Sequence, residues 1–219
     1  MGSEEVIGAW LARFLRRRES GTTDAQEAQP DRAAAIGGLG EALVAERLRE
    51  LGWPTLRNVV LRDRGGSTEI DLLARAPGVL MVLEVKTWSG RIEGAASAAS
   101  WTRHGSDGRW VTVPNAVRQN LAHVGAVERA IGDSRVRVLG VVVSAGHARF
   151  AAPLRPHVVQ VSAVNGVLRS LADGTRSGDQ DRLDRAWALL SQEAARSPGR
   201  RAAHVDSLRS RHPGAGNCE

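Results

Sequence analysis

The run VLMVLEVK, residues 79–86, narrows the possible folds more than any other stretch. As a strand it is apolar on both faces, with Val79, Met81, Leu83 and Val85 on one side and Leu80 and Val82 on the other. A strand of that kind belongs in the middle of a sheet, with a layer packed on each side. The run then ends on two charges. Glu84 and Lys86 share one face at the end of a buried element. Burial of such groups costs several kcal/mol unless they are paired, hydrogen-bonded or metal-bound. Lys86 is also the only lysine, since every other cation among the 30 Lys and Arg is arginine.

The neighbouring segments supply a frame for that strand. GEALVAERLRELG (40–52) reads as a helix closed by Gly52. TLRNVVL (55–61) and TEIDLLA (68–74) read as strands, and PNAVRQNLAHVGAVERAIG (114–132) as a helix. VRVLGVVVS (136–144) is a second wholly apolar strand, and HVVQVS (157–162) a further one. The expected class is therefore α/β, a mixed central sheet flanked by helices.

Pro77 and Gly78 suit the centre of a two-residue turn. Partners across that hairpin then have residue numbers summing to 155, which sets Asp71 opposite Glu84 and Glu69 opposite Lys86. Glu41 joins Val44, Leu48 and Leu51 on the apolar stripe of the first helix, where it either reaches the same strand ends or serves as an ordinary first-turn acid.

Two or three carboxylates with open positions describe a site for Mg²⁺ or Mn²⁺. Such a metal polarises a phosphoryl oxygen and acidifies water. Lysine suits the neighbourhood better than arginine, because its ammonium can lose a proton when desolvated. The alternative is a plain Glu69–Lys86 ion pair across the hairpin.

Composition sets outer limits. The net charge of +6 permits an acidic partner such as nucleic acid. A single Cys218 rules out an intramolecular disulfide and a cysteine-based zinc site, and suits a cytoplasmic location. No stretch reaches the ~18 apolar residues of a membrane span. Residues 4–18 have helical amphipathic spacing, with Ile7, Trp10, Leu11, Phe14 and Leu15 on one side. That helix could pack on the domain, on a second copy, on a partner or on a membrane surface. Residues 19–35 read as a linker, 36–171 as the main domain, 172–195 as a helical extension and 196–219 as a disordered tail.

Asp71 followed by Glu84-x-Lys86 on the next strand resembles the catalytic signature of the PD-(D/E)XK nuclease superfamily. GEALVAERLRELG, STEIDLLARAPGVLMVLEVKTWSGRI and VPNAVRQNLAHVGAVERAI, in that order, resemble the nuclease-related (NERD) domain over residues 36–150. The resemblance implies a restriction-endonuclease-like αβββαβ core and hydrolysis of DNA phosphodiester bonds by a metal-activated water, RNA being the less expected substrate. It implies Glu41, Asp71, Glu84, Lys86 and Gln119 as the catalytic set. Asp71, Glu84, the Val85 carbonyl and Glu41 would serve Mg²⁺ or Mn²⁺.

Periodicity alone leaves Gln119 a surface residue. Trp88 follows the lysine in the family's pattern and either stacks on a base or packs internally. Arg91, Arg103 and Arg118 flank the site as candidate phosphate contacts. Glu69 departs from the family's usual neutral residue, and a Glu paired with Lys86 would weaken it. A non-catalytic binding or interaction module on the same scaffold is the competing reading.

Overall fold

The computed structural model describes residues 29–63, 66–106, 108–175 and 179–211. The amphipathic helix expected at residues 4–18 lies outside them. The chain divides into units of residues 1–36 and 37–219. What is described of the first is helical, and the second holds both sheets.

The element order is α1 (Gln29–Glu50), β1 (Thr55–Asp63), β2 (Gly66–Ala76), β3 (Val79–Lys86), β4 (Arg91–Glu93), β5 (Ser100–His104), β6 (Trp110–Pro114), α2 (Ala116–Ile131), β7 (Val138–Ser144), β8 (Arg149–Phe150), β9 (Val158–Gln160), α3 (Val164–Asp173) and α4 (Gln180–Arg211). Strands β1, β2, β3, β7 and β9 form one sheet in that spatial order. β1–β2–β3 are antiparallel, and β3, β7 and β9 run parallel. The αβββαβ order is present, and β4–β6 are inserted before its second helix.

β3 is central and covered on both faces, as its sequence requires. Met81, Leu83 and Val85 pack with Val44 and Leu48 of α1 and with Val164 and Leu168 of α3. Leu80 and Val82 pack with Ala126 and Val127 of α2 and with Leu183 and Leu190 of α4. The β2–β3 register runs Ala76↔Val79 through Leu72↔Leu83, so the two-residue turn fixes the pairing that the sequence implies. Gly78 has φ 75°, which this turn needs and which a side chain would disfavour.

The remaining strands form a second sheet, ordered β6–β5–β4–β8. One of its faces carries Ile92, Trp101, Val113 and Phe150, which pack with Val142, Leu154 and Val158.

Two boundaries need correction. The helix α1 begins at Gln29, inside the expected linker, and α4 continues to Arg211 through the tail expected to be disordered. The cause in α4 is tertiary. β1 is an edge strand, and α4 caps it with side chains. Ser197 Oγ accepts from Val60 N at 2.8 Å, and Arg201 donates to the Asn58 carbonyl at 2.9 Å. Edge-strand polar groups are thereby paired, which also blocks another chain from adding to the sheet.

Candidate active site

Strict alternation would put Asp71 on the face shared by Leu73. It does not hold at this position. Leu72, Ala74 and Ala76 face α1, while both Leu73 and Ile70 face α2. The β1 strand slips in the same place, with Leu56 and Val59 on one side. Between Arg57↔Leu72 and Val59↔Ile70 the opposed residues are Asn58 and Asp71, and Asn58 has φ 54°, the one non-glycine in the left-handed region among the described residues. The kink turns Asp71 toward β3. Its Oδ2 accepts from Val85 N at 2.8 Å, beyond the point where the β2–β3 ladder stops at Leu72↔Leu83. Sequence reasoning sets Asp71 facing Glu84 as a ladder pair; instead the carboxylate replaces a ladder carbonyl.

Ala145 N donates to the Lys86 carbonyl at 2.9 Å. In a parallel ladder alternate residues bond to opposite sides, so the Val85 backbone is directed toward β2 and Asp71. Glu84 lies on the α2 face and is almost wholly buried. Lys86 Nζ stands 2.6 Å from its Oε1, and His123 Nε2 stands 3.1 Å from its Oε2. The distances are those of close polar contacts, but the angles are not those of hydrogen bonds. Both Glu84 oxygens are therefore buried without a directed bond. Lys86 also donates to Gln119 Oε1 at 3.1 Å.

Helix α2 brings Gln119 and His123 there. Its N-cap Asn115 accepts from the Val117 and Arg118 amides and donates to the Ala96 and Ala98 carbonyls, which fixes where the helix starts. Asn120 donates to the Val82 carbonyl at 3.2 Å, and Thr68 Oγ1 lies 2.9 Å from His123 Nδ1. Gly140 permits that approach, since a Cβ on it would come within 3.0 Å of Asn120. From the other side, Gly40 sets the approach of α1, because a Cβ there would lie 2.2 Å from Thr87 Cγ2. Glu41 follows directly, and lines a cavity of about 560 Å³ with Asn58, Glu69, Asp71, Gln119 and His123.

Burial, then the nearby Glu84 charge, pushes the Asp71 carboxyl up to about 7. Burial also acts to raise Glu84, but His123 and Lys86 outweigh it and hold that carboxyl below its ordinary value. Burial lifts Glu41, against the opposing pull of Arg57. One acid of the pair thus stays ionised while the other holds a proton near neutrality.

The alternative of a Glu69–Lys86 ion pair does not hold. Glu69 instead pairs with Arg201 of α4 at 2.7 Å, so it does not occupy the lysine. Trp88 packs edge-on against Trp101, with ring centroids 6.1 Å apart, and Lys86 Nζ lies 5.6 Å from its ring centre. Arg118 is exposed at the start of α2 and Arg91 is exposed on β4, whereas Arg103 lies on the inner face of the second sheet, beside Ile92. His123 is a site residue that sequence reasoning misses. Its signal is the buried stripe Ala116, Asn120, His123, Val127 of α2, which carries two polar residues at core positions.

Hard-cation chemistry fits this donor set. Glu84 offers two buried oxygens without directed bonds, Asp71 is adjacent, and the Val85 carbonyl is directed to the same side. Among the described residues no three His, Cys, Asp or Glu side chains converge as a metal cage. An ion would therefore be held by two carboxylates, a carbonyl and water, the usual manner for Mg²⁺.

The family model described as NERD, nuclease-related domain, matches residues 36–145, half of the chain. An uncharacterized protein of Bacillus anthracis is 34% identical over 96 residues, 42% of this chain and 45% of that protein. The chain thus spans less than half the length of that relative. The crystal structure of a protein of unknown function matches with a TM-score of 0.38 at 13% identity, over 75% of this chain and 99% of that one.

Proposed function

The chain belongs to the nuclease-related domain family, and from that premise we propose that it is a divalent-metal-dependent nuclease that hydrolyses DNA phosphodiester bonds at the end of β3. The observation that carries the reading is Glu84, a buried carboxylate whose two oxygens lack directed bonds, between Asp71 and the only lysine.

Asp71, Glu84 and the Val85 carbonyl would hold Mg²⁺ or Mn²⁺, with Glu41 supporting the site from α1. The cation supplies Lewis acidity, polarising a phosphoryl oxygen and acidifying water. The other work belongs to the chain. An ammonium has three donors. Lys86 donates to Gln119 and is drawn to Glu84 by charge, and its remaining N–H groups are there for the attacking water or a phosphoryl oxygen. His123, fixed through Thr68, restrains Glu84 from behind. Glu69 bears on the competing reading of a non-catalytic module, because its pairing with Arg201 leaves the lysine to Glu84 and Gln119.

The deciding experiment is cleavage of end-labelled single- and double-stranded DNA with Mg²⁺, with Mn²⁺ and with EDTA, beside Lys86→Ala. Metal-dependent cutting lost in the variant is the expected result. Cutting that persists in EDTA or in Lys86→Ala overturns the mechanism.

A further inference from the structure

The second sheet carries its own arrangement of charge, away from the carboxylates. Pairing sets Arg149 beside Arg91, Arg91 opposite His104, and His104 opposite Trp110. Directly opposed residues point to the same face of a sheet. These four side chains therefore form one row across β8, β4, β5 and β6. The other face is the buried one, since Ile92 pairs with Phe150 and Trp101 with Val113. The row lies on the outside.

Three features of this row stand apart from an ordinary solvated surface. Trp110 is 67% exposed, the most exposed large hydrophobic residue among those described. Arg91 and Arg149 are adjacent like charges on neighbouring strands, a placement that is unfavourable without an anion between them. The one carboxylate beside them, Glu93, is shared between Arg91 at 2.7 Å and His104 at 3.0 Å, and among the described residues none pairs with Arg149. A sheet face with an exposed ring at one end and two guanidiniums at the other matches the chemistry of a single nucleic-acid strand. The ring stacks on an unpaired base, and the cations take phosphates. A duplex keeps its bases stacked on each other and offers the ring nothing comparable.

We propose that the outer face of the second sheet binds a single nucleic-acid strand, with Trp110 stacking on a base and Arg91 and Arg149 on the backbone of the same strand. The choice of nucleic acid as partner rests on the nuclease reading; the geometry of the face does not. Arg91 is five positions beyond Lys86, so the row starts within about 18 Å of chain from the lysine. A strand held here is a strand held next to the site.

The test uses the full chain in EDTA, so that binding is read without cleavage. Fluorescence anisotropy of a labelled oligothymidylate is titrated with the parent, Trp110→Ala, Trp110→Phe, Arg91→Ala and Arg149→Ala, and circular dichroism checks each fold. Trp110→Ala is expected to weaken binding about tenfold and Trp110→Phe to retain most of it. Each arginine variant should lower the slope of log affinity against log salt by about 0.7. Unchanged affinity in Trp110→Ala overturns the proposal. So does a duplex of equal length that binds as tightly and suffers equally from the substitution, or a self-associated protein that Trp110→Ala dissociates. The two readings separate cleanly. Cleavage with a silent Trp110 removes this proposal alone, whereas strand binding with no cleavage under any metal removes the nuclease reading alone.

Discussion

The two sheets use charge in opposite ways. The first is covered by helices on both faces, and the few charges that reach its interior are each held by named partners: Asp71 by Val85 N, Glu84 by Lys86 and His123, Lys86 by Gln119. The second is covered on one face, and its outer row presents Arg149, Arg91, His104 and Trp110 to solvent. Burial makes a charge expensive to move, which is what chemistry needs of its groups. Exposure leaves a charge free to meet a partner, at little structural cost. On the proposed reading, one sheet holds the reacting groups still and the other receives the strand.

The sharpest way to break this contrast is catalytic. Asp71→Ala and Lys86→Ala should each lower the cleavage rate by about a thousandfold or more, with Trp110→Ala leaving the rate at saturating DNA unchanged. A loss of rate at saturation in Trp110→Ala would erase the division of labour. Next in size is packing. Leu83→Ala in the first sheet should cost about 2–5 kcal/mol in urea unfolding, and Val111→Ala on the second should stay within about 0.5 kcal/mol. Comparable losses at the two sites would mean that β6 is not open to solvent at Val111.

Asp71 gives a pH-dependent test. Its folded pKa, about 7, lies above the ordinary carboxyl value of 3.8, so the folded chain holds a proton that the unfolded chain releases. The stability contributed by that proton is fully present below about pH 4 and is lost as the pH rises through about 7. Asp71→Asn, which can still accept from Val85 N, should therefore exceed the parent in EDTA at pH 8 by on the order of 1–3 kcal/mol and match it at low pH. Added Mg²⁺ should stabilise the parent at pH 8 and leave the variant unmoved. A difference that does not vary with pH would show that burial is not what raises the acid. The smallest effect belongs to the half-exposed Glu69–Arg201 pair, where Arg201→Ala should cost at most about 1 kcal/mol, read as a shift in the urea midpoint.

Much of this architecture is legible in the residues. The all-apolar run 79–86 places β3 in the centre, and the Pro77–Gly78 turn sets the register down to Leu72↔Leu83. Past that pair the residues are harder to read. The reversal of faces at Asn58 and Asp71 depends on one left-handed asparagine, and asparagine in a strand pattern gives no sign of which conformation it takes. Gln119 looks exposed by periodicity because a helix face turned toward a strand end meets polar groups, not a hydrophobic core. The second sheet escapes notice because strands of two to five residues carry too few alternations to register. In α4, Ser197, Pro198 and Gly199 read as a helix stop, and the edge of β1 overrides them by bonding to Ser197 and Arg201.

Lys86 has a practical consequence. Apart from any terminal amine, this chain offers an acylating reagent one nitrogen, and that nitrogen sits between Glu84 and Gln119 with only 19% of its side chain exposed. With the terminal amine already blocked, a single mass increment on the intact protein would report directly on the site. Its rate of appearance, followed with and without Mg²⁺ or an oligonucleotide, turns one reactive amine into an occupancy gauge that needs no cleavage assay.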